Sequence, residues 1–171
     1  MTQSNTAPNT DSGGLVVRAD EGTSISGRNG SYVVTTKATD ADTRSAYALQ
    51  HMTVAPDSPW IPAHIHHRED EAFYVLAGEC SVRIGEETHA LGPGTFALLP
   101  RDIPHTFANF GTVPAQVLII SSPGNVIHYF AEAAALTNAS PDGRPDMAQL
   151  AALAARYGIE FVTTRSPARA D

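Results

Sequence analysis

Residues 64–79 read HIHHREDEAFYVLAGE, and this stretch decides the predicted fold. His64 and His66 are two positions apart, so on a β-strand both imidazoles point to the same side. The charged loop 68–70 turns the chain back, and Glu71 opens the next strand. Two imidazoles and a carboxylate from adjacent strands form a set that mid-row divalent metals accept, with positions left for water or substrate.

A second stretch, residues 92–111, reads GPGTFALLPRDIPHTFANFG. Its His105 begins another short predicted strand, and Phe107 and Asn109 share the face of His105. A fourth ligand from this different hairpin would complete a set of three histidines and one carboxylate. Four inward ionisable groups without an ion would be costly to bury, so the pattern predicts a metal site.

The other histidines are not expected to bind the metal. His67 has the wrong strand parity and lies beside the charged loop. Three more are isolated from both stretches, and we expect them to be surface or hydrogen-bonded residues: His51, His89 and His128. Asn109 is expected to hold turn backbone rather than to act in catalysis.

Short β-rich runs recur between turn residues and predict an all-β sandwich or barrel. The predicted strands are Leu15–Arg18, Ser31–Lys37, Tyr47–Val54, Trp60–His66, Glu71–Leu76, Cys80–Ile84, Thr88–Leu91, Phe96–Leu99, His105–Asn109 and Ala115–Ser121.

The last part of the chain has a helical pattern instead. Asn125 is the predicted N-cap of one helix over 126–136, and Asp146 that of a second over 147–157, which Gly158 ends. The predicted organisation is a disordered tail (1–14), a β-barrel (15–124), a helical extension (125–162) and a frayed tail (163–171).

Composition narrows the function classes. The chain has 171 residues, 42% hydrophobic and 17% charged, which fits one globular domain with short extensions. Eleven Lys and Arg against 18 Asp and Glu give a formal charge of −7, which argues against nucleic acid or an anionic membrane as partner. Cys80 is the only cysteine, and we find no pattern of a secretion signal or membrane span. We therefore expect a cytoplasmic protein.

The spacing in residues 64–79 is that of a known family motif: HxH, three or four residues, Glu, six residues, Gly. The matching residues are His64, His66, Glu71 and Gly78. The family's second motif is Gly, five residues, Pro-x-Gly, two residues, His, three residues, Asn. The matching residues are Gly94, Pro100, His105 and Asn109. Asp102 stands where the family has Gly, and Thr95 stands where Asp is frequent; neither is a ligand position.

With both motifs in order, the chain resembles the cupin superfamily from roughly Tyr47 to Ser121, and in particular its single-domain quercetin-dioxygenase-like group. The resemblance implies an all-β cupin fold, a double-stranded β-helix or jelly-roll barrel, here with two short C-terminal helices. It implies one divalent metal ion (Fe, Mn, Ni, Co or Zn) held by His64, His66, Glu71 and His105. Similar cupins often pair through edge strands, so we expect a homodimer formed by Leu15–Arg18 and Ser31–Lys37.

The resemblance also implies a reaction. A substrate enol or phenol would bind at the metal, Glu71 would take its proton as general base, and the enolate would react with dioxygen. The substrate would be a small enolisable or aromatic, flavonol-like compound. Six residues are candidates for the substrate pocket or, equally, for simple core packing: Gln50, Met52, Trp60, Phe73, Val75 and Phe107.

Fold does not fix function, so two other functions stay open. One is a non-redox metal-dependent isomerase or cyclase of secondary metabolism. The other is a small-molecule-binding cupin without turnover. Oxygen uptake, anaerobic turnover and metal-independent ligand binding distinguish the three.

Overall fold

A computed structural model describes residues 14–27, 30–140 and 146–163. Its strands are β1 (Thr23–Ser26), β2 (Tyr32–Ala38), β3 (Ala48–Val54), β4 (His64–His66), β5 (Asp70–Ala77), β6 (Cys80–Ile84), β7 (Glu87–Leu91), β8 (Phe96–Leu99), β9 (His105–Ala108), β10 (Ala115–Ser122) and β11 (Ile159–Phe161). A 3₁₀ turn (Gly124–Val126) leads into α1 (Ile127–Ala139), and α2 (Met147–Arg156) follows.

The strands form two antiparallel sheets that enclose one core. The larger sheet has the order β1-β2-β3-β10-β5-β8, and the smaller has the order β11-β4-β9-β6-β7. Phe73 and Val75 of the larger sheet share the core with Val82 and Phe107 of the smaller. The predicted all-β fold with two C-terminal helices is confirmed, but the described sheets remain separate rather than closing into one barrel.

Alternating burial shows why the sequence forms this sandwich. In β3, every second residue from Ala48 to Val54 is buried and the residues between are partly exposed. The same period appears in β10, which lies between β3 and β5. Each large apolar side chain buried in this way contributes about 1.5–3 kcal/mol, which makes the inward faces the main stabilising feature.

Two turn positions explain residues of the family motifs. Gly78 has φ +68°, and a Cβ there would lie 2.3 Å from the Pro114 carbonyl oxygen, so only glycine fits. Asp102 has φ +63°, the left-handed conformation that the family's glycine adopts freely and that Asp tolerates. The departure at this position therefore keeps the turn.

The C-terminal helices differ in how they begin. Asp146 is the N-cap of α2, since its side chain accepts a hydrogen bond from the Ala148 backbone N–H at 2.8 Å. The predicted N-cap role of Asn125 is wrong, because this residue lies inside the 3₁₀ turn and α1 begins at Ile127 without a side-chain cap.

Strand β11 was not predicted from the sequence. Its three residues pair with β4, with Ile159 opposite His66 and Phe161 opposite His64. The run is too short to show a strand period, and only its partner strand stabilises it. The C-terminal extension therefore contributes directly to the sheet that carries the HxH pair.

The N-terminal strand prediction is partly wrong. Leu15–Arg18 forms only an isolated bridge, whereas the unpredicted β1 covers β2 on its outer side. Because β2 is internal, it offers no free edge to a partner. The homodimer stays a prediction, and exposed apolar side chains lie instead on the larger sheet: Tyr74, Leu76, Phe96, Leu98 and Ile120.

Some sequence predictions cannot be compared with the structure. Residues 1–13 of the predicted N-terminal tail and 164–171 of the predicted frayed tail lie outside the described residues. Within the described ranges, neither helix has the length and apolar character needed to cross a bilayer.

Replacement of Asn109 by Ala is expected to lower the free energy of unfolding by about 2–4 kcal/mol. Asn109 is fully buried, its amide donates to the carbonyls of Val54 (3.1 Å) and Val113 (2.9 Å), and its side-chain oxygen accepts from the Gly111 N–H (2.9 Å). Urea denaturation measures the change. The exposed Thr112→Ala in the same turn is the control, and an equal effect of the two substitutions would contradict this role.

Candidate metal centre

Three imidazoles converge where β4 meets β9. His64 lies directly opposite His105 in the antiparallel register, and His66 follows on the same side of β4. The ring centroids are 4.6 Å apart for His64 and His105, 5.1 Å for His64 and His66, and 5.2 Å for His66 and His105. One potential ligand nitrogen from each ring lies within 4.8 Å of the other two, so the cluster can hold one metal ion.

Backbone carbonyls fix two of the rings. The Nδ1 atom of His64 lies 2.9 Å from the Pro62 carbonyl oxygen, and that of His105 lies 3.0 Å from the Ile103 carbonyl oxygen. A carbonyl only accepts, so each Nδ1 is the protonated donor. The lone pair of each ring is then on Nε2, the atom left for a metal.

Burial keeps the imidazoles of His64 and His105 neutral. Desolvation, together with the nearby His66, lowers the pKa of His105 to about 4. Desolvation also holds the pKa of His64 well below its usual value, helped by the two neighbouring imidazoles. Neutral imidazole is the form that binds a metal, so the site can take up an ion at neutral pH without first losing protons.

Unpaired buried atoms show that a cation fits this cluster. Nε2 of His105 and both ring nitrogens of His66 are buried with no hydrogen-bond partner. A buried polar atom without a partner costs roughly 1–3 kcal/mol, and coordination of a metal would remove that cost. The donor set of three imidazoles suits Fe, Mn, Ni, Co or Zn.

Glu71 lies beside the histidine cluster but not within its tightest part. The side chain is 5% exposed, and its Oε2 atom lies 3.7 Å from Nε2 of His105. Burial raises the pKa of Glu71, and the nearby Glu69 raises it further. The position suits either a fourth ligand or a group that exchanges a proton with a substrate, and both roles stay proposals.

Glu69 is a site residue that sequence reasoning missed. It was assigned to the charged loop, yet it is fully buried and its Oε2 lies 3.5 Å from Nδ1 of His66. Neither carboxylate oxygen has a hydrogen-bond partner. Nothing in the local sequence separates it from the neighbouring Asp70, which is exposed and pairs with Arg101.

The prediction that His67 lies outside the site is confirmed. Its Nδ1 atom is 2.6 Å from Oδ1 of Asp102, and its Nε2 atom is 3.3 Å from Oε2 of Glu160 in β11. The ring is 42% exposed, and His67 lies just beyond the end of β4. His67 thus connects the turn before β9 to the C-terminal strand.

The candidate pocket residues lie mainly in the core. Met52, Phe73, Val75 and Phe107 all belong to the buried cluster between the sheets. Gln50 is buried and its amide donates to the Thr36 hydroxyl at 3.2 Å. Trp60 is partly exposed and packs edge-on against Phe110, with 5.4 Å between ring centroids. Substrate contact by any of the six stays a proposal.

Comparison with known proteins identifies a matching family model. Residues 50–121, which include β4, β5 and β9, match the family model described as cupin domain. The match covers less than half of the chain and includes all three histidines of the cluster. Protein SchB of Streptomyces halstedii is 35% identical over 63 residues, which cover 37% of this chain and 46% of that protein. The chain thus matches less than half the length of this curated relative.

Solved structures show the same cupin fold. A sugar phosphate isomerase from a cupin superfamily, from Silicibacter pomeroyi, has a TM-score of 0.55 and 20% identity, covering 63% of this chain and 74% of that chain. The polyketide cyclase RemF from Streptomyces resistomycificus has a TM-score of 0.55 and 21% identity, covering 63% of this chain and 78% of its own. At these identities the likeness shows the fold.

Replacement of His64 by Ala is expected to remove most of the bound metal from the purified protein. A direct ligand is lost, so the affinity should fall by more than the about 10–100-fold that an outer partner contributes. Metal content per chain, measured by mass spectrometry, checks this. His89→Ala removes a half-exposed histidine near Glu87 and is the matched control. Unchanged metal in His64→Ala would show that the ligand set is wrong.

The pKa of His67 is expected to lie above 6.5, because Asp102 and then Glu160 favour its protonated form. The contact of protonated His67 with the two carboxylates therefore stabilises the fold. This stability is fully present below pH 6.5 and is lost as the pH rises through the raised pKa of His67. NMR titration of the ring measures the pKa. Asn tolerates the left-handed turn, so Asp102→Asn should move the pKa of His67 back towards 6.5. The same His67 pKa in the variant and the wild type would contradict the contact with Asp102.

Proposed function

We propose that this cupin is a metal-dependent enzyme acting on a small enolisable or aromatic compound, and that its reaction is a dioxygenation. The observation that carries the proposal is the pairing of three converging imidazoles with a buried carboxylate. Oε2 of Glu71 lies 3.7 Å from Nε2 of His105. Ligands and a proton acceptor therefore meet in one place.

Different residues would bind the metal and accept the proton. The ion would be held by His64, His66 and His105. When bound, it would supply a positive charge for an enolate oxygen and, if it is redox-active, a route for electrons to dioxygen. Glu71 would take the proton from the substrate hydroxyl. Its raised pKa makes it a stronger base than an ordinary carboxylate once it is ionised.

Apolar side chains support an aromatic or enolisable substrate. Phe73 and Phe107 pack edge-on at 5.9 Å on the inner side of the sheets that carry Glu71 and His105. Such surroundings exclude water and strengthen electrostatic contacts with a developing enolate.

A non-redox isomerase or cyclase is the second candidate. The same carboxylate can remove a proton at one atom and return it at another without any oxidant. The isomerase and the cyclase named above share the fold, so this architecture accommodates such reactions. A binding cupin without turnover is the third candidate.

Oxygen uptake is expected when the protein loaded with Fe(II), Mn(II), Ni(II) or Co(II) meets a panel of flavonols and other enols. Glu71→Gln should lower kcat by about 10²–10⁴-fold, since it removes the proton acceptor. Asp70→Asn removes an adjacent surface carboxylate and is the control for charge. An oxygen electrode with product analysis measures the rates.

Other outcomes would replace the dioxygenase proposal. Turnover under strict anaerobiosis would identify the isomerase or cyclase. Saturable ligand binding that persists after the metal is removed, with no turnover, would identify the binding cupin. Absence of oxygen uptake with every metal and every enol tested would refute the dioxygenase proposal.

A further inference from the structure

Glu69 is a buried carboxylate that the proposed reaction does not use. Its side chain is fully buried, and neither of its oxygens has a hydrogen-bond partner. Its nearest ionic neighbour is His66, with 3.5 Å between Oε2 and Nδ1. An ionised carboxylate in such surroundings is costly, so its retention in this position requires a compensating interaction.

The three imidazoles differ in what faces Nδ1. In His64 and His105, the partner is the carbonyl oxygen of the residue two positions earlier. His66 has no such carbonyl partner, and the atom beside its Nδ1 is the Glu69 carboxylate. Each ring therefore has one oxygen atom on its Nδ1 side, and only for His66 does this oxygen belong to a side-chain carboxylate.

We propose that Glu69 is a positioning residue for the metal centre, whose carboxylate accepts the Nδ1–H of His66 and directs Nε2 of that ring to a divalent ion. Coordination at Nε2 would make Nδ1–H a stronger donor and so favour a hydrogen bond across the present separation of 3.5 Å. A carboxylate partner in turn increases the electron density that His66 gives to the metal.

The position of the two buried carboxylates supports the same role. Oε2 of Glu69 lies 3.5 Å from Nδ1 of His66, and Oε2 of Glu71 lies 3.7 Å from Nε2 of His105. Glu71 therefore faces the nitrogen that a metal would use, whereas Glu69 faces the nitrogen on the far side of its ring. This geometry suits Glu69 to orient a ligand from outside the metal position.

The test is Co(II) binding to the wild type, Glu69→Ala, Glu69→Gln and Asp70→Asn, followed by optical titration. Glu69→Ala should weaken binding by about 10–100-fold. Glu69→Gln should weaken it less, because the amide oxygen still accepts the Nδ1–H but carries no charge. Asp70→Asn makes the same charge change one residue away, at an exposed ion pair with Arg101, and should leave the affinity within about 2-fold.

Proton NMR of the Co(II) form tests the hydrogen bond itself. The wild type should show three shifted, exchangeable Nδ1–H resonances, one for each ligand imidazole. The His66 resonance should be lost to rapid exchange with solvent in Glu69→Ala and be retained in Glu69→Gln. The metal-free Glu69→Gln protein should melt at or above the wild-type temperature, which a purely structural role would not produce. If Glu69→Ala does not fold, Glu69→Gln still tests the affinity and the melting temperature.

The inference rests on metal binding in the proposed function, and the outcomes separate the two. A wild type that binds no Co(II) refutes both. If the wild type binds Co(II) and Glu69→Ala binds it with equal affinity, only the role of Glu69 is refuted. If Asp70→Asn weakens Co(II) binding as much as Glu69→Ala does, the effect is one of general charge. If Glu69→Ala binds Co(II) more weakly but keeps all three Nδ1–H resonances, Glu69 is a direct ligand. Either result would overturn the positioning role.

Discussion

The antiparallel register between β4 and β9 is the constraint on which the site depends. It places His64 opposite His105 and so joins two motifs that lie in different hairpins. Side chains alternate across a strand, so a shift of one residue would turn the β4 histidines away from the interior. On its other edge, β4 pairs with β11, so the strand with both histidines has a neighbour on each side.

The unpaired polar atoms of the site lower the stability of the fold around it. The interior between the sheets is apolar, with Phe73, Val75 and Val82 almost fully buried. Next to this core stand ring nitrogens and carboxylate oxygens without partners. A hydrophobic replacement of similar shape would suit the fold better, so these residues are explained by the ion they can hold and not by stability.

The sequence predicted the parts of the fold that depend on local periodicity and spacing. Strand alternation placed His64 and His66 on one face and His67 on the other, and β6 and β8 have the predicted bounds. Predictions failed where distant partners decide the structure. β11 forms because β4 needs a neighbour, and Asn125 is drawn into a 3₁₀ turn as the chain leaves β10. Glu69 lies in the connection between β4 and β5, and no spacing rule reveals that its side chain is buried there.

The pairing of β11 with β4 has a consequence for the order in which the protein matures. Ile159 lies opposite His66, so the two partners are 93 positions apart in the chain. During synthesis, β4, β5 and β9 leave the ribosome well before β11, and until then one edge of the strand with the HxH pair has no neighbour. That strand therefore gains its second neighbour only when residues 159–161 have emerged.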